Sequence, residues 1–257
     1  GPFESKFALV ELSGETHADG KDTKIAAAEL TVKAELTMPE FIKAGIRWLT
    51  ENTKDKNDSG RSAQIGSSGD YAKIGSSGYS AQIGSSGDYA QSGSSGDYAK
   101  IGSSGRSAQI GSSGRSAQIG SSGDYAKIGS SGDYAKIGSS GYSAQIGSSG
   151  YSAQIGSSGD YAKIGSSGRS AQIGSSGHSA QIGSSGDYAQ IGTTGYKSVI
   201  ASSGYNAKVK GANGTHIAVA EYVEGECVGF ATGCIGTKGL KADTWYRAKN
   251  LTLVEAA

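Results

Sequence analysis

A nine-residue phrase, Gly-x-(Ser/Tyr)-Ala-(Gln/Lys)-Ile-Gly-Ser-Ser, restarts at every ninth residue from Gly60 to Gly186 and persists in degraded form at Gly195 and Gly204. A fixed short period means that each unit meets copies of itself in space. The chain must therefore stack units that cannot bury their own apolar side chains alone. The repeat's apolar residues are Ala, Ile and some Tyr, which allows only a narrow, linear core. A flexible Gly/Ser tether is the competing reading of such composition. Phase argues against it: a strand with one buried face needs Ala and Ile two residues apart, and a tether does not.

In the unit Gly69 to Ser77, a short strand is expected to turn Ala72 and Ile74 inward and Tyr71 and Lys73 outward. The glycines at the first and seventh places are expected to bracket that strand, as corners with positive φ or close backbone approach. Ser76 and Ser77 would then make the bend. One unit is too short to enclose anything, so two units per 18-residue coil are expected, giving a flattened roll. The units from Gly60 to Gly204 would make about eight coils and a rod roughly 40 Å long. Three units per coil, with a triangular section, is the alternative geometry.

The expected fold class is thus mainly β, a β-solenoid (β-roll) of nine-residue repeats, two per coil, with an N-terminal α+β cap and a C-terminal β cap. Gly1-Pro2 reads as an expression scar left by a protease. Residues 3–58 form the front cap, with strands over Lys6 to Leu12 and Ala28 to Leu36, the second marked by alternating Leu30, Val32, Ala34 and Leu36. A helix follows from Thr37-Met38-Pro39-Glu40, a capping box with Pro in its first turn, and places Trp48 in a core. Such a cap would cover the apolar cross-section and unpaired backbone of a first coil. Residues 59–211 are the solenoid. Residues 212–257 are the rear cap, with strands over Thr215 to Val223, Cys227 to Ile235, Lys241 to Ala248 and Leu251 to Val254, and turns at Gly225 and Lys238-Gly239.

The variable places follow a rule. Asp at the second place is followed by Tyr, whereas Arg, Tyr or His there is followed by Ser in the regular copies. Asp copies carry Lys at the fifth place except at Gln91 and Gln190, so stacked copies mix charges and are expected to pair Asp with Arg along the ladder. Ser92 stands where the other regular copies have Ile, and reads as a tolerated lesion with its hydroxyl bonded locally, or as a kink or ligand notch.

Chemistry is less legible. The formal net charge of +1 favours neither nucleic acid nor an anionic membrane as partner. No apolar run is long enough for membrane insertion, and the N-terminus lacks the apolar core of a secretory signal. Calcium-binding nonapeptides are the nearest metal analogy, but the Gly-Gly-x-Gly-x-Asp order is missing, so no metal and no cofactor is expected. His17, His178 and His216 sit in no triad-like pattern, so no catalytic residue is assigned and the chain is read as a non-enzyme. Cys227 and Cys234 read as reduced thiols, a disulfide needing a turn at Gly229 or Gly233. Rows of amphipathic Tyr are the remaining signal, and Tyr71, Tyr89, Tyr98, Tyr125, Tyr134, Tyr161 and Tyr188 are the candidate binding residues. Their plain structural alternative is a set of Tyr ladders that only stiffen the stack.

Glu40-Phe41-Ile42-Lys43-Ala44-Gly45-Ile46-Arg47-Trp48-Leu49, and Lys241-Ala242-Asp243-Thr244-Trp245-Tyr246 with Leu251-Thr252-Leu253-Val254-Glu255, resemble uncharacterised tandem-repeat proteins of bacteriophages and prophages. Those proteins are similar in plan, with a front segment, short Gly- and Ala-containing repeats and an Ala-Asp-Thr-Trp-Tyr tail. The resemblance spans nearly all of the chain, lacks the family's usual front, and implies a phage context rather than an activity. Tyr79-Ser80-Ala81-Gln82-Ile83-Gly84 is more weakly similar to the head repeats of trimeric bacterial adhesins, though its spacing of nine is shorter. That likeness implies a Gly-cornered β-roll and homo-oligomerisation.

The expectation is a non-enzymatic phage or prophage structural or interaction protein, located in the host cytoplasm or on the phage particle. It would act by surface binding to a host or phage protein, or by self-assembly as a homo-oligomer. Inhibition of a host defence or nucleic-acid enzyme is one alternative. Ice binding is another, with Tyr and charged residues expected to interrupt the hydroxyl rows.

Overall fold

A computed structural model describes residues 7–18, 25–36, 55–58 and 60–256. The chain divides into two units, Gly1–Thr53 and Lys54–Ala257. In the first, β1 (Phe7–Ala18) and β2 (Ile25–Leu36) form an antiparallel hairpin, longer at both strands than the sequence implied. Leu30 and Val32 of β2 are exposed. The expected helix from Thr37 and its Trp48 lie outside the described residues.

The second unit is the solenoid. Its stack begins with β3 (Asp55–Asp58), continues through sixteen four-residue strands, β4 (Gln64–Ser67) and β5 (Lys73–Ser76) to β19 (Val199–Ser202), and reaches β20 (Lys208–Lys210) and β21 (His216–Val223). Every repeat strand pairs in parallel with the strand 18 residues away, Ile119 opposite Ile101 on one side and Ile137 on the other. Two units per coil is therefore the geometry, and the triangular alternative is excluded. Odd and even strands segregate into two facing sheets. The stack runs to about nine coils, one more than the repeat count suggested, because β3 and the degraded copies after Gly195 join it.

The buried seam holds the Ala of the fourth place and the Ile of the sixth, the Ile residues at 3–8% exposure or less. Each Ile so enclosed contributes about 1.5–3 kcal/mol against leaving it in water. The strand, however, occupies the fifth to eighth places, Lys73–Ser76, two residues later than expected. Four consequences correct the sequence reading. Tyr71 does not share a strand face with Lys73 but lies in the preceding turn, with φ of 58°. The seventh-place glycines are not corners: they sit mid-strand on the outer face, and a Cβ at Gly120 or Gly138 would meet nothing within 4 Å. Ser76 does not bend the chain but points inward and is buried. Only the first-place glycines are true corners, through close approach rather than positive φ. A Cβ at Gly114 would lie 1.9 Å from the Gly96 carbonyl oxygen one coil below.

The turn itself spans the first to fourth places, and in the first three copies it is closed by the Ala63, Ala72 and Ala81 N–H groups on the Gly60, Gly69 and Gly78 carbonyls at 3.1–3.4 Å. Its third residue is held left-handed in every regular copy from Tyr71 to Tyr188 except that of Ser80, although it is Tyr or Ser rather than Gly. Stacking offsets the local strain: the N–H of that residue reaches the second-place carbonyl of the next coil, as from Tyr98 to Arg115 at 2.8 Å.

Beyond β20 the parallel stack gives way to two hairpins. β21 pairs antiparallel with β22 (Glu226–Cys234), and β23 (Tyr246–Lys249) with β24 (Thr252–Glu255), each hairpin continuing one of the two sheets. The third rear strand starts at Tyr246 rather than Lys241, since Lys241 to Trp245 forms a turn and Asp243 takes positive φ. Cys227 and Cys234 both lie on β22 as free thiols.

Candidate functional site

Because the roll is flat, each coil turns twice, and the turns stack into two corners along the rod. The second and third places are the exposed residues of each corner, so its chemistry is set by the variable part of the repeat. All seven candidate tyrosines are third-place turn residues and all are exposed, from 39% at Tyr188 to 70% at Tyr71. They do not form one row. Tyr71, Tyr89, Tyr125 and Tyr161 line one corner, and Tyr98, Tyr134 and Tyr188 the other, as the parity of their coils dictates.

Among these seven, only Tyr71 and Tyr89 pack on each other, with ring centroids 5.1 Å apart and planes within 6°. The rest meet second-place side chains of an adjacent coil. Tyr98 packs against Tyr79, Tyr125 and Tyr161 both against Tyr142, Tyr134 against Tyr151, and Tyr188 against Tyr205, at centroid distances of 5.2–5.8 Å. Arg61, Arg106, Arg115 and Arg169 lie over Tyr79, Tyr125, Tyr134 and Tyr188 at 5.1–5.6 Å. Partial desolvation, and then the neighbouring Tyr98, push the Tyr79 phenol above its ordinary value. The corners are thus mixed Tyr/Arg ladders. The second-place tyrosines and arginines belong to the candidate surface as much as the third-place tyrosines do. Their alternation with Asp at that place was the available signal.

The repeat aspartates do not pair with those arginines. Each places Oδ1 on the second-place N–H of the next coil: Asp70 on Asp88, Asp88 on Arg106, Asp97 on Arg115, Asp124 on Tyr142, Asp133 on Tyr151, Asp160 on His178 and Asp187 on Tyr205, all at 2.7–2.9 Å. His178 does the same through Nδ1 to Tyr196. The aspartate bonds are charge-assisted backbone caps, and all of these bonds hold coil on coil.

The two sheet faces are a second surface. The outward fifth, seventh and ninth places present Gln or Lys, Gly and Ser, and the glycine rows open shallow troughs of about 1510 Å³ on one face and 1260 Å³ on the other. Trp245 lines the end of the second trough, with Lys210 5.3 Å above its ring and bonded to Asp243. Tyrosines do not interrupt these rows, contrary to expectation, since they stand at the corners. Ser92 is buried in the seam without a hydrogen-bond partner, so its hydroxyl is not bonded locally. Among the described residues no group of three or more His, Cys, Asp and Glu is disposed to hold a metal ion, and no helix is long and apolar enough to cross a membrane.

A family model described as a domain of unknown function, DUF7666, matches residues 1–44. No curated protein and no solved structure matches the chain.

Proposed function

We propose that the chain is a non-enzymatic interaction rod of a phage or prophage, working through the surface its repeats display. The observation that carries this reading is the pair of corner ladders, where exposed Tyr and Arg recur along a rod whose backbone is fixed by coil-to-coil hydrogen bonds. Tyr and Arg are the residue types that anchor protein interfaces, being large, amphipathic and held here in defined geometry. The phage setting is supported by the resemblance of the Glu40–Leu49 and Lys241–Tyr246 segments. Sedimentation of the purified chain alone, with host cells and with phage particles is the test. Association with itself, cells or particles supports the reading; a chain that stays monomeric and in the supernatant in all three overturns it.

Ice binding is a second reading that one observation favours: the outward Ser and Gly rows run along each face free of Tyr, although fifth-place lysines such as Lys127 and Lys163 border them. Thermal hysteresis in the purified chain would support it, and its absence removes it.

A further inference from the structure

We infer that the corner bearing Arg61, Arg115 and Arg169 docks an antiparallel second copy of the same chain, an inference that rests on the surface-binding reading and names its partner. Coil by coil, the second-place residues of this corner are Arg61, Tyr79, Asp97, Arg115, Asp133, Tyr151, Arg169, Asp187 and Tyr205. They occupy one position of one turn, successive coils being about 4.8 Å apart. Three Arg balance three Asp, so the row is neutral yet strongly patterned. The three Arg are exposed. Each Asp commits Oδ1 to a backbone N–H and keeps its second oxygen available.

Now turn a second copy end for end so that Arg115 faces Asp133 of that copy. Arg61 then meets Asp187, Tyr79 meets Arg169, and Asp97 meets Tyr151, and the two-fold axis makes each pairing occur twice. Eight coils are engaged, four Arg–Asp pairs form, and no like charges oppose each other. A parallel arrangement staggered by one coil forms three such pairs and does not close on itself. The other surfaces fit a second copy less well. The opposite corner sets Asp70, Asp88, Asp124 and Asp160 against the single Arg106, so two of them together accumulate negative charge. The sheet faces, between residues 60 and 211, carry lysines at the fifth place and no Asp or Glu, so two faces together accumulate positive charge.

Pitch supplies the second argument. A contact repeated at every coil stays in step only with a partner of the same spacing, and a second copy has it by construction. The strip is one turn wide, narrower than a standard interface, so the dimer is reversible and concentration-dependent. Its ion pairs make it weaker in salt.

Sedimentation equilibrium of the full chain at low and high salt tests this, with circular dichroism and thermal midpoint as controls on the rod. The wild-type chain should dimerise reversibly. Arg115→Asp sets Asp against Asp, and Asp133→Arg sets Arg against Arg, each raising the dissociation constant about ten-fold or more. The double variant exchanges the charges across the axis and should return to within a few-fold of wild type. The pair Arg61→Asp and Asp187→Arg gives the same pattern independently. A chain monomeric at all concentrations, a dimer indifferent to the single reversals, or failure of both double variants to recover, overturns the inference. A monomer that still sediments with cells or particles overturns the corner dimer while leaving the surface-binding reading in place.

Discussion

Asp97 accepts the backbone N–H of Arg115 through Oδ1 at 2.7 Å, one coil further along the rod. The bond satisfies a turn N–H that the strand ladder does not reach, and it joins the variable place of one repeat to that of another. Asp97→Ala should therefore lower stability by about 0.5–1.5 kcal/mol, and Asp97→Asn by less, since an amide oxygen still accepts. Urea denaturation of both variants checks the order; no loss in either would show that the cap contributes nothing, and equal losses that an amide oxygen cannot replace the carboxylate.

The two glycine rows predict opposite responses. At Gly114 an added Cβ meets the Gly96 carbonyl at 1.9 Å, so Gly114→Ala must push coils apart and should cost more than about 3 kcal/mol, at the severe end for a single methyl. At Gly120 the same methyl enters open space at ordinary φ, and Gly120→Ala should be neutral or stabilising by about 0.4–1 kcal/mol. Thermal midpoints of the two variants decide it.

Ser92 interrupts the isoleucine seam between Ile74 and Ile110, its register partners. Ser92→Ile should raise stability by about 1–3 kcal/mol, by filling the seam and removing an unpaired buried hydroxyl. Ser103, also buried without a partner, offers a milder version: Ser103→Ala should leave stability unchanged or slightly higher. Loss of stability in either variant would mean that the hydroxyl row bonds in a way the structure does not show.

At the far end, the Glu221 carboxylate accepts the N–H of Asn250 at 2.7 Å and that of Leu251, the two left-handed residues of the turn between β23 and β24. Glu221→Ala strands both donors and should cost about 1.5–3 kcal/mol, local to the rear hairpins. Hydrogen exchange should quicken at Asn250 and Leu251 while the repeat amides keep their protection; uniform quickening would instead place Glu221 in the global stability of the rod.

The solenoid, its two units per coil and its Ala/Ile seam were legible because period and alternation are set by the backbone itself. The strand's exact span was not. Gly75 looked like a corner because glycine usually marks one, yet it sits on a flat outer face, and Ser76 looked like a bend although its small side chain fits the narrow seam. The role of Asp97 was hidden for a different reason. Sequence shows which charges neighbour one another every 18 residues, but not that the carboxylate finds a main-chain donor before it reaches Arg115. The candidate tyrosines were found, but their division between two corners depends on coil parity, which follows only once the 18-residue register is known.

That register also governs how such a gene can change length. Losing or gaining 18 residues restores every pairing, shortening or lengthening the stack by one rung and leaving each rear hairpin on its own sheet. A change of nine moves the whole downstream half to the opposite wall, exchanging which edge shows which tyrosines. Slippage during replication should therefore be tolerated in even steps of the nonapeptide and resisted in odd ones.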